Sequence, residues 1–190
     1  MKLQRILPFS KNILNSCIAE GDFVVDATIG NGHDTLFLAE LVGESGRVFG
    51  FDIQESAIKE TKTRLSRHEF MDRVTLFHQG HEHLTACIPD EAHGQISAAV
   101  FNLGYLPGAD KEIVTKPNST IHAIQQLLDI MKIEGIIIVV IYHGHQEGVV
   151  EKEALLDFVT SLDQKRALVL QYKFLNQKNN PPFVIAIEKR

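Results

Sequence analysis

The chain has 190 residues, 44% hydrophobic and 23% charged, which excludes wholesale disorder and makes a single domain over 1–190 the expectation. The 19 Lys and Arg against 24 Asp and Glu leave a formal net charge of −5 with His neutral. That argues against a protein that coats nucleic acid without specificity, but not against an enzyme with a local basic patch. The only cysteines, Cys17 and Cys87, have no zinc spacing and suit a reducing cytoplasm, and the longest purely apolar run, 136–141, falls far short of the about 20 residues of a membrane helix.

Residues 1–12 contain no long apolar core and no small-residue cleavage site, so no signal peptide is expected. The first predicted element is a short strand, Phe23-Val24-Val25, leading into Asp26 and a glycine-rich turn. A helix is expected over 34–41 and a strand over 47–51 that ends at Asp52. The next helix, 55–67, has Ala57, Ile58 and Leu65 on its apolar face. Alternation marks a strand at 74–78, and an apolar strand at 96–101 ends at Asn102. Helix 119–131 sets Ile121, Ile124, Leu127, Leu128 and Met131 at helical spacing. The β-branched run at 135–142 is what a strand covered on both faces requires. A helix over 151–162 and strands at 167–172 and 183–188 complete the chain. Strands alternating with helices mean βαβ units. The expected fold class is α/β: a Rossmann-like, mostly parallel seven-stranded sheet, helices on both faces, and an antiparallel C-terminal strand.

In such sheets, ligands bind outside the carboxyl ends of the strands, near the point where strand order reverses. The first of these ends reads VVDATIGNGHDT, residues 24–35. Gly30 and Gly32 permit close approach of the backbone, and the helix that follows offers unpaired N–H groups. The candidate cofactor contacts here are Asp26, Thr28, Gly30, Asn31, Gly32, Asp34 and Thr35. Asp52, followed by Ile53 and Gln54, is placed to accept hydrogen bonds from both hydroxyls of a ribose. A dinucleotide fingerprint needs a third small residue where Thr35 stands. Asp26 would also repel a pyrophosphate, and would instead favour a cation such as the amino and sulfonium groups of S-adenosylmethionine. The charge therefore prefers a methyltransferase to a dehydrogenase. The plain alternative is a tight turn with a capping Asp.

After the third strand, HQGHEH at 78–83 places Gly80 and His81 beside the expected adenine and ribose. The spacing H-x-x-H-x-H also offers metal ligands, but no cysteine assists and no metal is expected. FNLGYLPGADK, residues 101–111, follows the fourth strand. Many amino-directed methyltransferases place an Asn or Asp, two turn-forming residues and an aromatic here, and Asn102-Leu103-Gly104-Tyr105 is a variant of that pattern. Asn102 would accept a hydrogen bond from the target nitrogen and Tyr105 would stack on a base. Leu103, Gly104, Lys111 and Lys116 would complete the substrate wall. His143 and His145, beyond the fifth strand, are candidate proton relays. The alternatives are a turn with a capping Asn, and structural or solvated histidines.

Four segments, DATIGNGHDTLFLA, FNLGYLPGADK, YHGHQEG at 142–148 and FLNQKNNPPFVIAIEK, resemble the bacterial family of small class I methyltransferases labelled putative rRNA methylase. The resemblance runs from about residue 14 to 189, with Ala109 where a second Gly is expected and Asn118-Ser119 where a Thr-rich pair is expected. Members of the family are assigned as tRNA methyltransferases that complete the methylaminomethyl group of wobble uridines. The resemblance thus implies a class I methyltransferase fold and S-adenosylmethionine as cofactor. It implies a reaction in which the primary amine of 5-aminomethyl-(2-thio)uridine takes the methyl group.

The residues alone reach only an amino-group methyltransferase. They leave open an rRNA or small-molecule amine substrate, or a cofactor-binding partner subunit without catalysis. A tRNA anticodon arm as partner calls for cations. The candidates are Lys111 and Lys116 at the substrate wall, Lys173, Lys178, Lys189 and Arg190 near the C-terminus, and Lys2, Arg5 and Lys11 near the N-terminus. A homodimer is the candidate assembly.

Overall fold

Strand side chains alternate between the two faces of a sheet, and in this chain both alternates are apolar. Val24 and Val25 of β1 (Phe23–Asp26) are buried in opposite cores. Ala98 and Val100 likewise oppose Ala99 and Phe101 in β4 (Ile96–Leu103), and Ile138 and Val140 oppose Ile137 and Val139 in β5 (Met131–Ile141). Such a sheet needs a helical layer on each face. The computed structural model, which describes residues 2–103, 116–144 and 146–190, contains both layers.

On one face α1 (Ile6–Cys17), α2 (His33–Val42) and α3 (Glu55–Arg67) bury Ile6, Leu14, Leu38, Val42 and Leu65. On the other, α4 (Leu84–Cys87), α5 (Pro117–Ile130) and α6 (Gln146–Ser161) bury Leu84, Ile124, Leu127, Leu155 and Val159. With β2 (Arg47–Phe51), β3 (Val74–Phe77), β6 (Ala167–Tyr172) and β7 (Phe183–Lys189), the sheet has seven strands in the order β3-β2-β1-β4-β5-β7-β6. The strands β3, β2, β1, β4 and β5 are parallel, and β7 runs antiparallel to both β5 and β6. The chain moves outward from β1 to β3 and returns to β4, so the carboxyl ends of β1 and β4 flank the crevice expected at a reversal of strand order. Among the described residues no helix is long and apolar enough to cross a membrane.

Three elements depart from the sequence reading. Helix α1 was not expected, because Pro8, Ser10, Asn12 and Asn15 are weak helix formers. Pro8 lies in the first turn, where its missing N–H costs nothing, and Ile6, Ser10 and Leu14 recur every four residues toward the sheet. Strand β5 starts at Met131 rather than 135. Its register to β4 slips between the pairs Ile96–Met131 and Ala98–Ile136, with Glu134 in the left-handed region at φ 64°. Helix α6 begins at Gln146, five residues earlier than expected, because Gly148 is absorbed within it rather than breaking it.

Candidate active site

The glycine turn is held from beneath by polar contacts. Asp26 ends β1 with 1% of its surface exposed. One of its carboxylate oxygens accepts the Thr35 hydroxyl at 2.6 Å and the other accepts the Thr28 N–H at 3.2 Å. Burial pushes its carboxyl up to about 7, and nearby Asp34 and then Asp52 push the same way, against the hydrogen bonds from Thr35 and Thr28. Carboxylates from β1, α2 and the end of β2 thus crowd one rim. Lys11 of α1 meets Asp34 at 3.6 Å.

Asp52 accepts the N–H of Gly30 on one oxygen and that of Gln54 on the other, both at 2.9 Å. These bonds fix the carboxylate, and each oxygen keeps a second lone pair for an incoming hydroxyl. Gly30 and Gly32 have φ of 53° and 74°. At Gly32 a Cβ would also come within 2.5 Å of the Thr61 hydroxyl, so α3 presses on this turn. Thr61 donates to the Gly30 carbonyl at 3.3 Å and Arg64 Nε to that of Asn31 at 2.7 Å. Sequence reading missed both residues, since a lone Thr and a surface-type Arg on a charged helix carry no signal.

At the tip of β4 the Asn102 backbone N–H donates to the Thr28 hydroxyl at 2.7 Å, and its Nδ2 donates to the Asp34 carboxylate. The remaining end of the amide, Oδ1, is buried and has no partner among the described residues. Leu103 corrects an expectation. It is still strand, lies on the same face as Phe101, and is 1% exposed in the core, so its side chain packs rather than touching a substrate. Gly104, Tyr105, Lys111 and His145 lie outside the described residues.

His81 is buried edge-on against Phe101, with Nδ1 on the Ala27 carbonyl at 3.0 Å. A carbonyl only accepts, so Nδ1 carries the proton. Burial lowers the ring's basicity and keeps it neutral, and Nε2, an acceptor, is buried without a partner. His78 bonds the Ile53 carbonyl at 2.9 Å, leaving the Ile53 side chain 55% exposed. Gly80, with φ −68°, has an ordinary backbone. His143 is buried with Nδ1 unpartnered. Burial first, then Lys152 and Lys173, pull its basicity down. Tyr142, beside it, was not singled out from the sequence. Burial, and then the charge of Asp34, raise its hydroxyl pKa. Exposed Lys116 borders a cleft of about 520 Å³ lined also by Glu82, Pro117, Asn118, Ser119 and His122. Among the described residues no three His, Cys, Asp or Glu side chains group to hold a metal.

The cations expected to meet RNA divide. Lys173 lies over the Phe183 ring at 5.6 Å, at the carboxyl edge. Lys189 instead bonds the carbonyls of Asp129 and Met131 at 3.2 and 2.7 Å at the opposite edge, because antiparallel β7 carries it and Arg190 there. These candidates, neighbours in sequence, are therefore split between the two edges of the sheet. Lys11 is engaged with Asp34 and with the Phe37 ring at 4.8 Å.

A rim of clustered carboxylates beside unpartnered buried acceptors fits a ligand that brings positive charge and hydroxyl donors. Together with a reversed seventh strand, a glycine turn after β1 and an acid after β2, it defines a class I methyltransferase. Within that class the chain belongs to the family described as "Putative rRNA methylase", whose model matches residues 48–188.

A "putative rRNA-methylase" from Clostridium thermocellum superposes with a TM-score of 0.96 at 45% identity, covering all of both chains. A "putative methyltransferase" from Streptococcus mutans, solved in complex with SAH, gives a TM-score of 0.89 at 37% identity over 99% of each chain. The chloroplastic tRNA (mnm(5)s(2)U34)-methyltransferase of Arabidopsis thaliana is 33% identical over 180 residues. That match takes in 90% of this chain but only 65% of the plant protein's length.

Proposed function

We propose that this chain is an S-adenosylmethionine-dependent N-methyltransferase acting in the cytoplasm on the anticodon arm of tRNA. It converts 5-aminomethyl-2-thiouridine at the wobble position to 5-methylaminomethyl-2-thiouridine. The observation that carries the reading is Asn102, whose amide oxygen is buried, unpartnered and at the β4 tip beside the acidic rim. Such an acceptor suits an N–H of an incoming amine. The activity named for the plant relative supports the aminomethyl-uridine substrate.

When bound, the cofactor supplies an electrophilic methyl group. Asp26 would face its positive charge, and Asp52, already fixed by Gly30 and Gln54, would accept its ribose hydroxyls. His81, with Nε2 open as an acceptor, borders the same pocket. The amine attacks only as the neutral base, so a proton must leave the nitrogen. Asn102 orients the amine, and His143, its basicity lowered by burial, takes the proton on a ring nitrogen. Positioning supplies most of the acceleration of such an in-line displacement. Tyr105, Gly104 and Lys111 hold the base in this reading, with Lys116 and Lys173 meeting phosphates. A homodimer in which both copies hold the RNA belongs to the same reading, and light scattering at micromolar concentration decides it.

The test is nucleoside mass spectrometry of tRNA from a deletion strain, before and after treatment with purified protein and S-adenosylmethionine. Aminomethyl-uridine accumulates in the strain and gains one methyl on treatment. An unchanged nucleoside profile refutes the reading, and methylation of ribosomal RNA instead moves the substrate there.

A further inference from the structure

The Asn102 side chain has two ends of nearly equal shape, and only one serves an incoming amine. Rotation about its last bond exchanges oxygen for NH₂. An NH₂ facing the amine would donate to the nucleophile's lone pair and block attack, whereas an oxygen accepts an N–H and leaves that pair free. We infer that Asp34, braced by Lys11 of α1, is the positioning residue that keeps the oxygen of Asn102 facing the substrate; this rests on the reading of the chain as an amine methyltransferase.

An ionised carboxylate accepts hydrogen bonds and donates none, so the end of the amide that meets Asp34 must be NH₂. Oδ1 then lies at the opposite end, where it is buried without a partner among the described residues. The backbone of the same residue is tied to the Thr28 hydroxyl at 2.7 Å, which fixes the end of the strand but not the rotation of the amide. Asp34 removes it. Among the described residues, the titratable groups that interact with Asp34 are Asp26, Tyr142 and Lys11. Asp26 repels the carboxylate, while Lys11 holds its other oxygen at 3.6 Å and is itself seated over Phe37, one turn along α2 from Asp34. The N-terminal helix therefore reaches the reacting centre through one lysine. Its ion pair is partly exposed, so Lys11 contributes less than Asp34.

Two readouts test this. In the ¹⁵N spectrum, the Asn102 side-chain amide, assigned by its loss in Asn102→Asp, shows two well-separated protons with one protected from exchange. Asp34→Ala collapses that separation, and an unmoved resonance overturns the inference whatever the substrate proves to be. In single turnover with S-adenosylmethionine held saturating for each variant, Asp34→Ala loses roughly 100-fold, a loss that weakened cofactor affinity cannot produce there. Asp34→Asn, whose own amide oxygen still accepts from Asn102, stays within about tenfold of wild type; a loss equal to that of Asp34→Ala means that the negative charge acts directly and overturns the inference. Lys11→Met loses about fivefold and Lys11→Arg restores it, whereas no loss removes the bracing role. If the wild type transfers no methyl to aminomethyl-uridine RNA, the functional reading fails, and the amide resonance still decides the role of Asp34.

Discussion

The two edges of the sheet treat charge in opposite ways. At the amino edge, charged groups find partners within the protein. Lys132 meets Asp22 at 3.4 Å, Arg166 meets Asp129 at 2.7 Å, and Lys189 caps the carbonyls that end α5. At the carboxyl edge Asp26, Asp34 and Asp52 crowd together, and Asn102, His81 and His143 each keep a buried polar atom without a partner. Isolated, such groups destabilise the fold. Their concentration on one edge is physical evidence that this edge is built for something other than stability. His93, near the amino edge, is the one other buried orphan among the described residues, so the contrast is strong but not absolute.

The contrast breaks first at Asn102. Asn102→Ala is expected to slow methyl transfer roughly 100- to 1000-fold, the cost of removing one aimed polar contact. Cofactor Kd, read by calorimetry, should scarcely move. A variant that loses cofactor affinity instead assigns Asn102 to the cofactor pocket.

Asp26→Asn comes next and carries a pH signature. Loss of a buried carboxylate that faces a cation should weaken S-adenosylmethionine roughly 10- to 100-fold. With its carboxyl at about 7 rather than 3.8, Asp26 binds more protons in the folded than in the unfolded chain between those values. Fold stability from this group is therefore present at low pH and lost as pH rises through about 7. If Asp26 meets the cofactor's positive charge as proposed, cofactor binding needs the ionised form and runs the other way, strengthening as pH rises through about 7. Denaturation midpoints and calorimetric Kd across that range should slope in opposite senses in wild type. Both slopes should flatten in Asp26→Asn.

The carboxyl edge was more legible in the sequence than what supports it. Strands betray themselves by apolar runs, and Asp26, Asp52 and Asn102 stand out because each is a polar residue closing such a run, so the rim could be read residue by residue. The seven strands and the antiparallel last strand follow from the same runs. Contacts that cross the chain leave no local mark. Nothing near Lys11 announces that it serves Asp34, and nothing near Thr61 announces that it underlies Gly32. Leu103 was misread for the related reason that a strand's last residue and a loop's first look alike in sequence. The antiparallel return of β7, though foreseen, was not carried through to its consequence, that Lys189 and Lys173 end on opposite edges.

Gly32 sharpens the comparison from the side of the scaffold. Gly32→Ala should cost about 1–2 kcal/mol for its left-handed backbone and more for the contact with Thr61. The midpoint of thermal unfolding reads the sum. Adding Thr61→Ser should relieve part of the crowding but leave the backbone cost, so the double variant lies between Gly32→Ala and wild type. Full recovery would mean that φ at this turn relaxes freely and that the turn is not held as tightly as its contacts imply.

The smallest effect belongs to the amino edge and serves as the control. Lys132 and Asp22 are partly exposed, with 41% and 18% of their side-chain surface open. A pair of that kind contributes about 0–1 kcal/mol, screened further by salt. Lys132→Met keeps most of the apolar stem, so thermal unfolding should shift by at most a few degrees and methyl transfer should match wild type. Raising the ionic strength should shrink the difference in unfolding between the two proteins. A loss of transfer comparable to that of Asn102→Ala, with the fold intact, would mean that charge at the amino edge reaches the chemistry. The division of the molecule into a paired structural edge and an unpaired reactive one would then fail.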